Sequence, residues 1–471
     1  MVGVKKVVLK KGQELELEVT DVAFGGRGIA KVDGMAVFID QAVTGDRARV
    51  RVVRRKKTYA EARALEILSP SPFRITAPCP YSGFCGGCKW QFVDYAQQLE
   101  FKRRHVVEAL AHIGGIRDVP VYPTIASENI FGYRNKMEFS CARWRWLLPH
   151  ELGRDDIPKA FALGLHVPGT FDKVIDIDAC LLQPDTGNQI LSMVREEMKS
   201  SGKEAYGQRD HSGFWRFAML RHSVADDAWL VNLITSETDP DVLKPLAEKI
   251  MDRFPNIVTG VVNNVTDRKS AVAVGDVEIP LAGTPCLIER IGPFAFRVSA
   301  NSFFQTNTVG AGKLYETVRG CAGLTGTEDL LDLYCGTGTI AITLSDAAAR
   351  VTGIEVIPSA VEDARQNCRL NGIDNCSFIE GDIRQVLPSL TTTPQVVIID
   401  PPRVGMHKDV VTAILEMGPP NMVYVSCNPS TLARDLALMA ENYRIDSVQP
   451  VDLFPHTFHI ESVVRLTRIN R

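Results

Sequence analysis

The chain opens on strict alternation. "QELELEV" (13–19) carries an apolar side chain at every second position, the period of a strand with one buried face. "VAFGGRGIAKVDG", "MAVFI" and "RARVRVV" continue in the same manner towards residue 68, with glycines at the bends. About five short strands in so little chain predict a small closed barrel of the oligonucleotide-binding kind. "SPSPF" (69–73) reads as a proline-rich linker. Asp94, with Gln97 three positions on, fits a capping box and predicts a helix through about Leu110, closing at Gly114 and Gly115. Residues 120–296 mix β runs such as "WLVNLIT" and "NIVTGVVNNV" with turns, the pattern of an antiparallel α+β domain. From 297 the rhythm changes. Apolar runs ("DLLDLYC", "RVTGIEV", "CSFIEG", "VVIID", "MVYVSC", "SVVRLT") alternate with helical stretches such as "SAVEDARQNCRLNG", which predicts a doubly wound α/β sheet. The expected division is therefore 1–68, 69–296 and 297–471, with the helix over 94–114 able to pack on the last part.

Composition changes this picture little, and charge changes it more. The 471 residues exceed one core, and no run approaches the roughly 18 apolar residues of a membrane span. The basic start "MVGVKKVVLKK" lacks the apolar centre of a signal peptide. Eleven cysteines, an odd number, point to thiols and ligands in a reducing cytoplasmic setting and away from disulfides. The net charge is −3, yet residues 1–63 hold 14 Lys/Arg against 8 Asp/Glu. A basic end on an acidic body suggests a nucleic-acid partner. The run "RVRVVRRKK" is either a solvated basic edge strand or a phosphate-contacting surface.

Candidate chemistry gathers at predicted strand ends. "DLLDLYCGTGTIAI" (329–342) runs from a strand through a turn containing Gly336 and Gly338 into a helix, letting a ligand approach the backbone. Glu355 ends the next strand, where a carboxylate accepts from ribose hydroxyls, and Asp382 follows the third, near an adenine position. The third glycine of a dinucleotide site is missing, which favours S-adenosylmethionine over NAD. "DPPR" (400–403) closes the fourth strand, with Arg403 where amine methylators carry an aromatic. "SCNPS" presents Cys427 at the carboxyl edge just before a helix, whose N-terminus is expected to lower the thiol pKa. Carbon methylation of uracil requires such a thiol. Sulfur added at C6 makes C5 nucleophilic, and a base must afterwards remove the C5 proton. Glu461 in "FPHTFHIESV" can serve, although His456, His459 and Glu461 also read as metal ligands. "CPYSGFCGGCKWQF" (79–92) concentrates three further cysteines.

Taken together, "FFQTN", "DLYCGTG", "DPPR", "SCNP" and "HIE" resemble, in order, the motifs of the RNA uracil-5-methyltransferase family, which makes 5-methyluridine. The first 68 residues resemble its TRAM RNA-binding barrel, and the likeness extends over essentially the whole chain. It implies a Rossmann-like methyltransferase domain, Cys427 as nucleophile and Glu461 as proton-abstracting base. It further implies cofactor contacts at Gln305, Tyr334, Gly336, Glu355, Asp382 and Asp400. Phe303 would support the flipped base, and "YRNKMEF" would line the RNA path with Arg134 and Lys136. Cys79, Cys85, Cys88 and the distant Cys180 match the ligands of a [4Fe-4S] cluster, with a four-cysteine zinc site as the rival. The C-x₅-C-x₂-C spacing departs from the C-x₃-C-x₂-C of radical enzymes, so the cluster is expected to be scaffold, tying the 79–92 loop to a strand bearing Cys180 and shaping the RNA surface. Barrel plus cluster is most like the 23S ribosomal RNA branch, acting as a monomer without a membrane partner. Residues 142–164, with Trp144 and Trp146, are longer than the family pattern.

Overall fold

The computed structural model describes residues 9–469, so the basic start of the chain up to residue 8 lies outside the described residues. Six strands between Glu14 and Ser69 form one curled sheet, one more than the sequence pattern suggests. Its core holds Val37, Ile39, Val50 and Val52. Along Arg47–Arg55 alternate residues point outward, as the period of two demands. Register then decides what the outward cations do. Arg47, Arg49 and Arg51 fall beside Glu16, Glu66 and Glu14, at 2.7, 2.8 and 2.6 Å. These arginines are paired within the sheet, which fits the solvated basic strand.

The proline-rich segment is fastened. The fully buried Asp46 accepts from Ser71 N at 2.9 Å and from Arg74 Nε at 2.8 Å. Helix Tyr95–His112 follows, its N-terminus capped by Asp94 accepting from Ala96 N at 3.0 Å and Gln97 N at 3.4 Å. It packs against helix Pro429–Met439 of the last domain.

The middle sheet has seven strands and is mixed. The pair Ala228–Thr235 and Val258–Val265 runs parallel, because the helix Pro240–Arg253 crosses over between them. The Trp-rich segment does not form a separate loop throughout: Ala142–Trp144 prolongs strand Lys136–Trp144, and a 3-10 turn at Pro149–Glu151 leads towards strand Ala160–His166. The expected boundary at 296/297 falls inside strand Phe294–Ser299, which pairs with Cys286–Ile291 as one hairpin. Asn371 Nδ2 donates to Ala295 O at 2.6 Å, fixing that hairpin to the last domain.

The last sheet comprises Asp329–Leu333, Arg350–Glu355, Cys376–Glu380, Val396–Ile399, Asn421–Ser426, Tyr443–Val451 and Glu461–Arg468. Numbered in chain order these lie 3-2-1-4-5-7-6, the first five parallel and the seventh antiparallel between the fifth and sixth. The carboxyl ends of the parallel strands thus open on one edge, with Glu461 entering it at the start of the seventh strand. No helix among the described residues is long and apolar enough to cross a membrane.

Candidate active site

The first strand ends in a constrained turn. Tyr334 is held at φ 64° and Gly336 at 54°, the left-handed region, and Gly338 at 78° caps helix Thr339–Leu344. The two glycines differ in purpose. A Cβ on Gly338 would stand 3.0 Å from both Ala364 Cβ and the Phe378 ring, whereas one on Gly336 would meet nothing within 4 Å. Gly338 is small for packing; Gly336 keeps the backbone bare towards the cleft. The Glu355 carboxylate accepts from Gly336 N at 3.1 Å, Val356 N at 2.8 Å and Ile357 N at 2.9 Å, which orients it across the turn. Tyr334, Glu355, Asp382 and Pro402 line a cleft of about 430 Å³. Asp382 accepts from Arg384 N at 3.0 Å and pairs with the Arg384 guanidinium, which holds its carboxyl down at about 2.

The floor beyond this cleft is acidic. Asp332 is fully buried, with Oδ2 accepting from Ala341 N at 3.1 Å and Oδ1 without a partner; burial and the neighbouring Asp400 push it well above the carboxylate range. Burial pushes Asp400 up to about 7. Glu461 is also raised well above its ordinary value, by burial and then Asp400, against which Arg403 acts. Such a floor favours a cationic ligand, which would restore the charged carboxylates.

Cys427 and Glu461 stand opposite each other for a topological reason. Ser426 and Ser462 are cross-strand partners, and Cys427 and Glu461 are the next residues along. Burial, with Glu461 and then Asp400 adding to it, raises the Cys427 thiol to about 11, while Arg403 and a backbone hydrogen bond work the other way. The expectation of a lowered thiol is corrected. Asn428 caps the helix behind it, accepting from Ser430 N at 3.1 Å, so that end is already satisfied, and two carboxyl groups outweigh one guanidinium.

The outer wall comes from the segment before the last domain's first long helix. Phe303 is 71% exposed, an available ring face. Its carbonyl lies 3.4 Å from the donating Thr337 Oγ1, beside the glycine turn. Gln305 is half-buried and its carbonyl accepts from Asn135 Nδ2 at 2.8 Å, so "YRNK" braces this wall. The two cations of that motif differ, and Arg134 Nε is buried without a hydrogen-bond partner. Lys136 pairs with Glu138 at 2.6 Å. Arg134 is half-buried, and its charge is felt by Cys85, Cys180 and His459.

Cys79, Cys85, Cys88 and Cys180 all bear on one another. Burial raises each thiol, Cys85 to about 11 and Cys88 to about 12, and neighbouring thiols of the same set add to this at Cys85, Cys88 and Cys180. Gly87 N donates to Cys85 Sγ at 3.3 Å and Gln91 Nε2 to Cys88 Sγ at 3.2 Å. Cys180 is buried and the other three are half-buried; thiols that resist ionising alone would be held as thiolates by a cationic centre. No group of three or more His, Cys, Asp or Glu side chains is disposed to hold a metal ion among the described residues, neither Cys79, Cys85, Cys88 and Cys180 nor His456, His459 and Glu461, so the expected cluster is not shown. Cys180 follows strand Val174–Asp176 in a loop and does not sit on the strand.

Sequence reasoning passed over Asp332, although a lone acid inside the apolar run "DLLDLY" was the available signal. It also gave no hint of Gln98, which the fold buries completely against the segment leading to Glu461.

Comparison with known proteins bears on this site. The family profile described as tRNA (Uracil-5-)-methyltransferase matches residues 290–385 and 389–469, and that of the TRAM domain matches 8–65. A protein of Chlorobaculum tepidum described as an uncharacterized RNA methyltransferase is 41% identical, covering 98% of each chain. One of Porphyromonas gingivalis with the same description is 40% identical, covering 96% of this chain and 99% of its own. Among solved structures, a Pyrococcus abyssi tRNA (uracil-54, C5)-methyltransferase in complex with S-adenosyl-L-homocysteine superposes with a TM-score of 0.75. It is 28% identical and covers 96% of this chain and 100% of its own.

Proposed function

The chain belongs to the RNA uracil-5-methyltransferase family, and from that premise we propose that it methylates C5 of a uridine in structured RNA through a covalent bond between Cys427 Sγ and uracil C6. The observation that carries this reading is the facing pair Cys427 and Glu461 at the carboxyl edge, beside the cleft with Tyr334 and Glu355.

S-adenosylmethionine, when bound, supplies the electrophilic methyl on a cationic sulfonium. Glu355 and Asp382 are suited to its ribose and adenine, Gly336 to close backbone approach, and Asp332 and Asp400 to its positive end. Gln305 would complete that contact set. Phe303 offers its exposed face to the unstacked uracil.

Cys427 gives up its thiol proton to solvent water, and its sulfur forms a bond to C6 while the C5=C6 electron pair moves towards O4. C5 then takes the methyl as the methyl–sulfur bond breaks. Glu461, as carboxylate, removes the C5 proton. The electrons of that C–H bond restore C5=C6 and expel Cys427 as thiolate. Arg403 favours the sulfur anion at both ends of this sequence, because its charge lowers the thiol pKa.

Cys79, Cys85, Cys88 and Cys180 are suited to a [4Fe-4S] cluster in a structural role. A zinc site would draw all four sulfurs onto one ion at about 2.3 Å. Iron and sulfide analysis of freshly purified protein separates the two.

We favour large-subunit ribosomal RNA as the target, because a TRAM barrel combined with the cysteine set resembles that branch. Transfer RNA is the second reading, supported by the described activity of the P. abyssi protein. Nucleoside mass spectrometry of both RNA classes, with and without this protein, tests the assignment. Loss of 5-methyluridine from ribosomal RNA alone is expected. Loss from transfer RNA alone would overturn the target, and no change in either would overturn the reaction.

A further inference from the structure

Between the cross-strand partners Val451 and Glu461 the chain makes the excursion 452–460, and the base stands at its end. This excursion is tied to the cysteine loop through one residue. His456, held at φ 64° and 2% exposed, gives its carbonyl to Lys89 N at 2.8 Å and Trp90 N at 3.0 Å, immediately after Cys88. Gln98 closes the junction. Its Oε1 accepts from His456 N at 2.9 Å, while Nε2 donates to Trp90 O at 3.0 Å and Val93 O at 2.8 Å. The same helix supports the excursion at its start. Lys102 Nζ lies 2.5 Å from Asp452 Oδ1, both side chains fully buried, and Tyr95 OH donates to Asp452 Oδ2 at 3.0 Å.

The nucleophile is held differently. Ser426 Oγ accepts from Asn428 N at 3.2 Å, and Asn428 Nδ2 donates to Arg403 O at 3.0 Å, bonds that involve neither the excursion nor the cysteine loop. A disturbance at the junction therefore reaches Glu461 first, and reaches Cys427 only indirectly, through strand pairing and the packing of the two helices.

We propose that Gln98 is a positioning residue for proton abstraction, coupling the state of the cysteine loop to the placement of Glu461 more directly than to that of the nucleophile, which has further bonds of its own. A left-handed non-glycine residue at the node, over-determined by bonds from two other segments, is the kind of strained position that marks a functional constraint. The inference rests on the reaction proposed above. It assigns the thiol site to the second half of that reaction, beyond a role as scaffold for an RNA surface.

The test uses the full chain with Gln98→Met, which keeps the side-chain length and removes the three hydrogen bonds above together with the 3.2 Å contact of Gln98 Nε2 with His456 Nδ1. Two adducts are read on denaturing gels. RNA carrying 5-fluorouridine traps the enzyme after methyl transfer without needing the base, because fluorine cannot be abstracted as a proton. Ordinary RNA shows an adduct only if proton removal is slow. The variant is expected to trap fluorinated RNA at a rate near that of the unsubstituted protein. Turnover falls about tenfold to a hundredfold, the range for a displaced catalytic group, and an adduct with ordinary RNA accumulates. Tyr95→Phe, a milder change on the same support, gives the same pattern at smaller amplitude and carries the test if Gln98→Met does not fold. Parallel loss of trapping and turnover, or no loss of either, would overturn the proposal. Failure of the unsubstituted protein to trap fluorinated RNA would instead overturn the reaction itself.

Discussion

Asp400→Asn is expected to make the ligand-free protein more stable at pH 8 and to leave it nearly unchanged at pH 4.5. The Asp400 carboxyl is pushed up to about 7 by burial at the end of the fourth strand, against about 3.9 in an unfolded chain. A carboxyl raised in the folded state binds its proton more tightly there than in the unfolded chain. Its cost is therefore absent below about pH 4, grows through the window from 4 to 7, and is complete above it. A difference of about three pH units at about 1.4 kcal/mol each gives an upper limit near 4 kcal/mol. Access of water from the open cleft screens part of this, leaving about 2–4 kcal/mol. Asparagine keeps the shape and removes the charge. All five tryptophans lie between residues 90 and 229, so their fluorescence does not report on this sheet. Hydrogen exchange of the Val396–Ile399 segment does. Its protection in the variant should exceed that of the unsubstituted protein at pH 8 by a margin that closes towards pH 4.5. A margin independent of pH, or a variant less protected at pH 8, would refute the argument that this carboxyl is buried at a cost until a cation arrives.

Glu461→Gln should still form the bond to C6 and transfer the methyl, then stall, so that ordinary RNA accumulates as a gel-stable adduct while turnover falls by about two orders of magnitude. Arg403→Gln removes the one charge that substantially lowers the Cys427 thiol; alkylation of Cys427 by iodoacetamide should become slower at pH 8, and an unchanged rate would contradict the assigned electrostatics. Gly338→Ala meets both a left-handed backbone and the 3.0 Å approach of Ala364 and Phe378. It should lower stability by about 1–3 kcal/mol, read as a fall in the thermal midpoint, and weaken cofactor binding measured by calorimetry.

The sequence revealed most where function sits on regular periodicity. Strand ends in an α/β sheet are legible, since apolar runs of four to six residues stop where the polar motifs begin, and the placement of Glu355, Asp382, Asp400 and Cys427 at or just after strand ends was read that way. Pairing across distance was not legible. Alternation puts Arg47, Arg49 and Arg51 on one face, but only strand register brings Glu14, Glu16 and Glu66 to meet them. The Cys427 thiol is raised by burial first and then by Glu461, which reaches it only because the last strand inserts between the fifth and sixth. Gln98 and His456 stand 358 positions apart, and nothing local to either signals their contact. The hairpin Cys286–Ile291 with Phe294–Ser299 blurs a boundary that a change in rhythm placed too late.

The most direct measurement is mass spectrometry of the protein digested after incubation with S-adenosylmethionine and RNA containing 5-fluorouridine. A methylated fluorouridine nucleotide attached to the peptide that contains Cys427, and absent in Cys427→Ala, is the predicted result. A nucleotide attached to any other residue, or no attachment under conditions in which ordinary RNA acquires 5-methyluridine, would contradict the account.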